Sequence, residues 1–406
     1  MSGPLDGVRV LEFGQYAAAP YAGMVLAELG ADVVKIEPPG GDAIRTWAPR
    51  VATARGTESG AFFTFNHGKR SVELDLSSSA GQEAARRLIR TTDMLVENNR
   101  PGVMARFGLD YEPVCALNPR LAYASISGYG QSGPRRDDSG FDLTVQANVG
   151  LMTTSGPAAA GAATEPVKIG VPLVDIGAGA YAVFGLLAVH VSAMRTGRGD
   201  FIDVPMQASA LVQMSLLANR FWLTGELPEP LGTSHPLAAP YQAFRTKDGH
   251  FAVAAGNDGL WRRVLQAMSM PELADNPRFA TMASRARHQE ELASVLEARL
   301  RTEPTAVWEE RFRAQGVPCA EVQSLPQALA DPQVVHRGLV DDVAHPGLGT
   351  IKRLGSPLAF ATDRAPTLRR PPYVGEHTAE LLGEVGLAYP TDETAMTHRA
   401  EVDHPH

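Results

Sequence analysis

Cysteine is almost missing from this sequence: Cys115 and Cys319 are the only two in 406 residues, and neither belongs to a CxxC pair. That excludes a disulfide framework and a thiolate zinc site. The 11 histidines show no HExxH or other ligand spacing, so no metal is expected. There is no unbroken run of about 18 apolar residues, and Met1 to Gly7 lacks the basic and apolar segments of a secretory signal, which predicts a cytoplasmic protein with no membrane partner. An excess of positive charge is missing too. With 37 Lys+Arg against 45 Asp+Glu and a net charge of -8, nucleic acid is not an expected partner. Glycine is scarce where a dinucleotide would need it: Gly14-Gln15-Tyr16-Ala17-Ala18-Ala19 offers one glycine where the GxGxxG fingerprint requires three.

What is present is an ordinary globular composition, 44% hydrophobic and 20% charged, in a chain long enough for about two or three domains. Val8–Phe13 reads as a buried strand, Tyr21–Leu29 as a helix closed by Gly30, and Asp32–Glu37 as the next strand. This βαβ unit predicts a parallel sheet with a right-handed crossover. Strands are expected at Ser71–Leu76, Met94–Glu97, Leu121–Ser127 and Phe201–Met206, with helices at Ala80–Arg90 and Gln207–Trp222. Polar loops follow the strands, as in Asn98-Asn99-Arg100-Pro101-Gly102, at the edge where open α/β sheets take ligands. Two basic pairs, Lys69-Arg70 and Arg135-Arg136, are candidates for an anion, against the commoner reading of solvated surface.

The apolar run Pro166–Val174 stops at a single carboxylate, Asp175, and a small-residue helix follows from Ile176 to about Met194. The first turn, Ile176-Gly177-Ala178-Gly179-Ala180, is nearly bare of side chains. Backbone N–H groups near Gly177 and Gly179 are thus candidates to hold negative charge on a ligand oxygen. Taken on its own, Asp175 is more simply a helix N-cap. Further on, the Pro/Gly-rich stretch Gly225–Gly232 reads as a linker. From Tyr241 the pattern becomes α+β, with an Asp248-Gly249 hairpin turn and helices near 257–269, 287–301 and 304–315. The last fifteen or so residues read as a frayed end.

Six segments in order resemble family III CoA-transferases, the family of the formyl-CoA and carnitine CoA-transferases. They are Pro4–Leu11, Leu29–Glu37, Asn66–Val72, Val96–Gly102, Arg195–Gly199 and Gly316–Cys319. The resemblance implies an α/β fold: a Rossmann-like parallel-sheet large domain built from both chain ends (1–222 and 335–406), plus a small α+β domain (223–334), in an interlocked homodimer. It places the catalytic carboxylate on Asp175. Coenzyme A, bound as a substrate and not as a tightly held cofactor, would contact Gln15, Ala17, Ala18, Lys69, Arg70, Leu74, Asn98, Asn99, Arg106, Phe107 and Met206. Pro38 stands where some members carry a basic residue, which leaves Arg45 as the candidate substitute.

The implied activity moves CoA from an acyl-CoA thioester to a free carboxylic acid through an aspartyl anhydride and an aspartyl-CoA thioester. An acyl-CoA racemase of the same fold is the alternative. Similar racemases carry Gly-His-Asp where this chain has Gly140-Phe141-Asp142, and a phenyl ring cannot carry a proton. A third reading, from another class, is a protein that binds acyl-CoA without turnover.

Overall fold

The structure is a computed structural model that describes residues 3–53, 56–158, 165–361 and 368–388. The terminal stretch expected to fray lies outside the described residues. Contacts divide the chain into two compact units, one of Met1–Val149, Ile169–Asn219 and Gly338–His406, the other of Gly150–Lys168 and Arg220–Arg337. Residues 150–168, placed with the large domain from sequence, thus group with the second unit.

The first unit is built on six parallel strands: β1 (Arg9–Phe13), β2 (Asp32–Glu37), β3 (Arg70–Glu73), β4 (Met94–Glu97), β5 (Ala122–Ser127) and β6 (Asp200–Pro205). Their order across the sheet is β3-β2-β1-β4-β5-β6, the doubly wound arrangement in which direction reverses between β1 and β4. Alternation along β1 assigns its residues to two faces. Leu11 and Phe13 pack with Val34, Leu95 and Tyr123 against α2 (Ser79–Ile89) and against Leu381 and Leu382 of the helix Thr378–Glu384. Glu12 points the other way, toward α1 (Ala18–Glu28), where Gly23 leaves room for it.

On that second face α1 packs against α4 (Leu173–Thr196), which follows α3 (Asp142–Asn148) and precedes α5 (Met206–Gln213). The single helix expected over 207–222 is interrupted at Met214, with a further helix at Ser215–Thr224. By length and composition α4, 24 residues long, is apolar enough to cross a membrane, with mean hydropathy 1.7 over an 18-residue window. Asp175 and His190 interrupt its apolar sequence. Its buried side, which includes Val174, Ala178, Ala182 and Leu186, lies among α1, β5 and α5.

The second unit carries a three-stranded antiparallel sheet of Tyr241–Arg245, His250–Ala254 and Cys319–Glu321, in which the Asp248-Gly249 turn joins the first two strands. Helices Asp258–Met268, Gln289–Leu300 and Thr305–Ala314 bring Trp261, Leu296, Trp308 and Phe312 against Phe251 to form its core.

Candidate active site

The switch between β1 and β4 creates a crevice at the carboxyl edge of the sheet, and two loops line it. After β1 the chain turns through Gly14, Gln15 and Tyr16, and Tyr16 takes φ 63, a left-handed conformation that costs a non-glycine residue about 1–3 kcal/mol. Hydrogen bonds hold the turn. The Tyr16 N–H donates to Asp42 Oδ1 (3.2 Å), the Gln15 N–H to Asn98 Oδ1 (2.9 Å), and Asn98 Nδ2 to the Gln15 carbonyl (2.8 Å). Asn99 Nδ2 donates to the Phe13 carbonyl (3.1 Å). The two asparagines expected to contact CoA therefore also tie the β4 loop to the β1 loop.

Beneath the turn lies a buried ionic cluster. Lys35 Nζ sits 2.8 Å from Glu12, 2.9 Å from Asp42 and 2.6 Å from the Gly14 carbonyl, with all three charged side chains 0% exposed. Burial alone would lower the Lys35 pKa, but the carboxylates of Glu12, Asp42 and Glu37 outweigh it and hold the ammonium above its usual range.

Asp175 reaches the crevice from α4. The helix starts at Leu173 with Pro172 as its N-cap, so Asp175 is the third helical residue. This corrects the expected capping role: the carboxylate lies inside the first turn, where the helix dipole favours its charge. The oxyanion role for Gly177 and Gly179 is corrected as well, since both lie within the helix, where backbone N–H groups serve its own ladder. Their lack of a side chain serves packing. A β-carbon on Gly179 would stand 2.6 Å from the Ala18 carbonyl oxygen, and one on Gly177 would strike the Gln213 amide. Close approach at Gly179 draws the start of α1 against the first turns of α4.

The result is a cavity of about 360 Å³ lined by seven of the expected residues: Gln15, Ala17, Ala18, Asn98, Asn99, Asp175 and Met206. Arg100, Tyr16, Ser127 and Phe141 are among the other residues on the wall. Tyr16 and Phe141 meet edge to face with centroids 5.8 Å apart, and Tyr16 also packs on Trp47 at 5.6 Å. Phe141 had stood out in the sequence only for not being histidine, and nothing local marked Tyr16. A larger and more apolar cavity of about 660 Å³, lined by Phe63, Val183, Phe184 and Leu354 among others, contains none of the expected residues.

Five expected contacts lie outside the Asp175 cavity. Lys69 is 0% exposed, its Nζ bonded to Glu12 (2.6 Å), the Pro20 carbonyl (2.8 Å) and Asn66 (2.8 Å). Burial, with Lys35 nearby, pushes its pKa down to about 8 although Glu12 opposes the shift. Arg70 is paired with Asp32, Glu380 and Glu384. For both cations the expected phosphate contact is corrected to an internal ion pair, because each is held by carboxylates and neither lines the crevice. Leu74 is buried in the sheet core, Phe107 packs against that core, and Arg106 is exposed at the end of the helix Val103–Arg106. Arg45 does not replace the basic contact at Pro38: it forms a two-pronged pair with Glu37 at 2.7 Å and lies over the Phe62 ring. Arg135 is taken by Asp138 at 2.8 Å and by the Tyr129 ring. Of the cations considered, Arg100 is the one on the cavity wall.

Glu97, at the end of β4, is 4% exposed. Burial pushes its carboxyl up to about 7, with Ser125 and Asn99 opposing the shift. A carboxyl whose folded pKa exceeds its unfolded value stabilises fully below the unfolded value, and that contribution is lost as pH rises through the folded one. From the usual 4.5 up to about 7, the parent should lose on the order of 3 kcal/mol relative to Glu97→Gln. Urea unfolding of both proteins at several pH values measures this. Parallel pH profiles would contradict it.

Fold and cavity together define an α/β protein with a cavity at the carboxyl edge of its parallel sheet and an aspartate from the first turn of a helix on its wall. Residues 5–378 match CoA-transferase family III, and the chain belongs to that family. It is 36% identical over 383 residues to the Homo sapiens succinyl-CoA:glutarate CoA-transferase, covering 94% of this chain and 86% of that protein. Identity to the succinate–glutarate CoA-transferase of Agrobacterium fabrum is 36% over 394 residues, covering 94% and 96%. The crystal structure of a CaiB/BaiF family protein from Brucella suis superposes with a TM-score of 0.83 at 33% identity, over 95% of this chain and 100% of that one.

Proposed function

We propose that this enzyme transfers CoA from an acyl-CoA donor to a free carboxylic acid through covalent intermediates on Asp175. The observation that carries the reading is the position of Asp175, in the first turn of α4 and on the wall of a cavity formed by the loops after β1 and β4. A carboxylate oxygen of Asp175 attacks the thioester carbonyl carbon, the C–S bond breaks, and CoA leaves as thiolate. The thiolate then attacks the aspartyl carbonyl of the resulting anhydride, which expels the donor acid and leaves an aspartyl-CoA thioester. The acceptor carboxylate attacks that thioester, and CoA thiolate returns to the acceptor's carbonyl and frees Asp175. Each step exchanges one acyl bond for another, with no net gain or loss of protons. The enzyme must chiefly keep out water, which would hydrolyse the anhydride.

Short dicarboxylic acids are the proposed substrates, since the relatives' names carry succinyl-CoA and glutarate. Arg100 on the cavity wall is the proposed partner for a substrate or CoA anion. Incubating the purified chain with succinyl-CoA and each of a series of free acids, with products read by mass spectrometry, tests the reading. New CoA esters support it. Exchange of the α-proton with deuterated solvent, without acyl movement, would give the chain to the racemase reading instead.

The proposed assembly is an interlocked homodimer. It is supported by apolar side chains left exposed along α4 and α5, where Phe184 is 63%, Met194 57% and Val212 56% accessible, more than a lone soluble subunit ordinarily leaves open. Sedimentation across a wide dilution range is expected to show dimer throughout. A stable folded monomer would overturn the interlocked arrangement.

A further inference from the structure

We infer that Asp142 and Gln146 are positioning residues that set the first turn of α4, and with it Asp175. The inference rests on the proposed role of Asp175. Asp142 Oδ2 accepts the Val174 N–H at 2.9 Å, and Gln146 Oε1 accepts the Ile169 N–H at 3.0 Å. The two grips are joined, because Gln146 Nε2 donates to Asp142 Oδ1 at 2.6 Å. One face of α3 thus holds the chain on both sides of its entry into α4.

The grip is needed because α4 brings no cap of its own. Pro172 at the N-cap has no side-chain acceptor, so the free N–H groups of the first turn must find oxygen elsewhere. Residues 169–172 carry no regular structure and follow the point at which the chain re-enters the first unit. Asp142 is 8% exposed and Gln146 0%, so water does not readily replace either bond. The Val174 N–H belongs to the Leu173–Val174 peptide unit, one residue ahead of Asp175 in the same helical turn, and a change of position there carries over to the nucleophile.

Misplacing a reacting group by about 1 Å costs on the order of 100-fold in rate. Asp142→Ala is therefore expected to lower kcat by about 100-fold with little change in KM. Asp142→Asn, which keeps an oxygen for the Val174 N–H but loses the acceptor for Gln146 Nε2, should recover part of the loss. In Asp142→Ala the Val174 amide should also exchange its hydrogen faster than in the parent. Parent-like kcat in Asp142→Ala, or an Asn variant as impaired as the Ala variant, would overturn the inference. Should Asp142→Ala fail to fold, Gln146→Ala decides: a loss of about tenfold in kcat supports the clamp and unchanged kcat removes it. If Asp175→Asn proves fully active, the nucleophile reading fails on its own. Amide exchange at Val174 and Ile169 then still tests the clamp, and parent rates in the Ala variants would overturn it.

Discussion

Asp175→Asn is expected to fold and assemble as the parent does and to lose CoA transfer by roughly 10³–10⁶-fold, the range for removing a covalent nucleophile. Folding should survive because Asp175 is not the cap of α4 but its third residue, where losing the charge–dipole interaction costs about 0.3–1 kcal/mol. That is small beside the stability of a domain. The packing that fixes α4 on α1 runs through Gly179 and the Ala18 carbonyl and is untouched by the change. An amide oxygen is a far weaker nucleophile than a carboxylate, and the anhydride cannot form. Steady-state transfer assays on protein checked by circular dichroism measure the effect. Near-parent transfer by the Asn variant would sink the assignment.

Lys35→Met is expected to destabilise the protein by about 3–5 kcal/mol, the cost of breaking a buried ion pair from one side. Lys35 donates to the Gly14 carbonyl and neutralises both Glu12 and Asp42 in a site with no exposure. Methionine fills similar volume but leaves Asp42 without its cation and the Gly14 carbonyl without that donor. The damage reaches the Asp175 cavity, because Asp42 also holds the Tyr16 N–H in its strained turn. Denaturant unfolding should show the lower midpoint, and the remaining folded protein should bind CoA esters more weakly. A loss below about 1 kcal/mol, as for a solvated surface pair, would show that the cluster does not carry the loop.

The contrast between these sites shows how far the sequence could be read. Strand positions were legible because a parallel sheet buried on both faces produces continuous apolar runs such as Val33-Val34 and Met94-Leu95-Val96. The loops after β1 and β4 follow from the same reading, and they supply four of the seven expected residues on the cavity wall, Gln15, Ala17, Asn98 and Asn99, while Ala18, Asp175 and Met206 come from the first turns of α1, α4 and α5. The helix Gly60–Asn66 escaped notice because it opens on glycine, and its N-cap, Ser59, shows itself only through the bond it accepts from the Phe62 N–H. Lys69 and Arg70 were misplaced for a different reason. Their charge is visible in the sequence, but the direction each side chain takes at the start of β3 and the partners waiting there are not. Arg70 meets Glu380 and Glu384, more than 300 residues away along the chain, so no local pattern could have reported that it was already paired. α4 starts three residues before the expected Ile176, because Pro172 stands at the N-cap of a helix that opens at Leu173 while the apolar residues before Asp175 suggest a strand.

The most direct test of the account is chemical trapping of Asp175. The parent enzyme is incubated with succinyl-CoA, quenched with hydroxylamine, digested and mapped by mass spectrometry. Hydroxylamine attacks an activated aspartyl carbonyl, whether anhydride or CoA thioester, and leaves a hydroxamate on that residue. The account predicts hydroxamate at Asp175 that depends on succinyl-CoA. A modified residue elsewhere, or transfer proceeding with no modified aspartate at all, would contradict it.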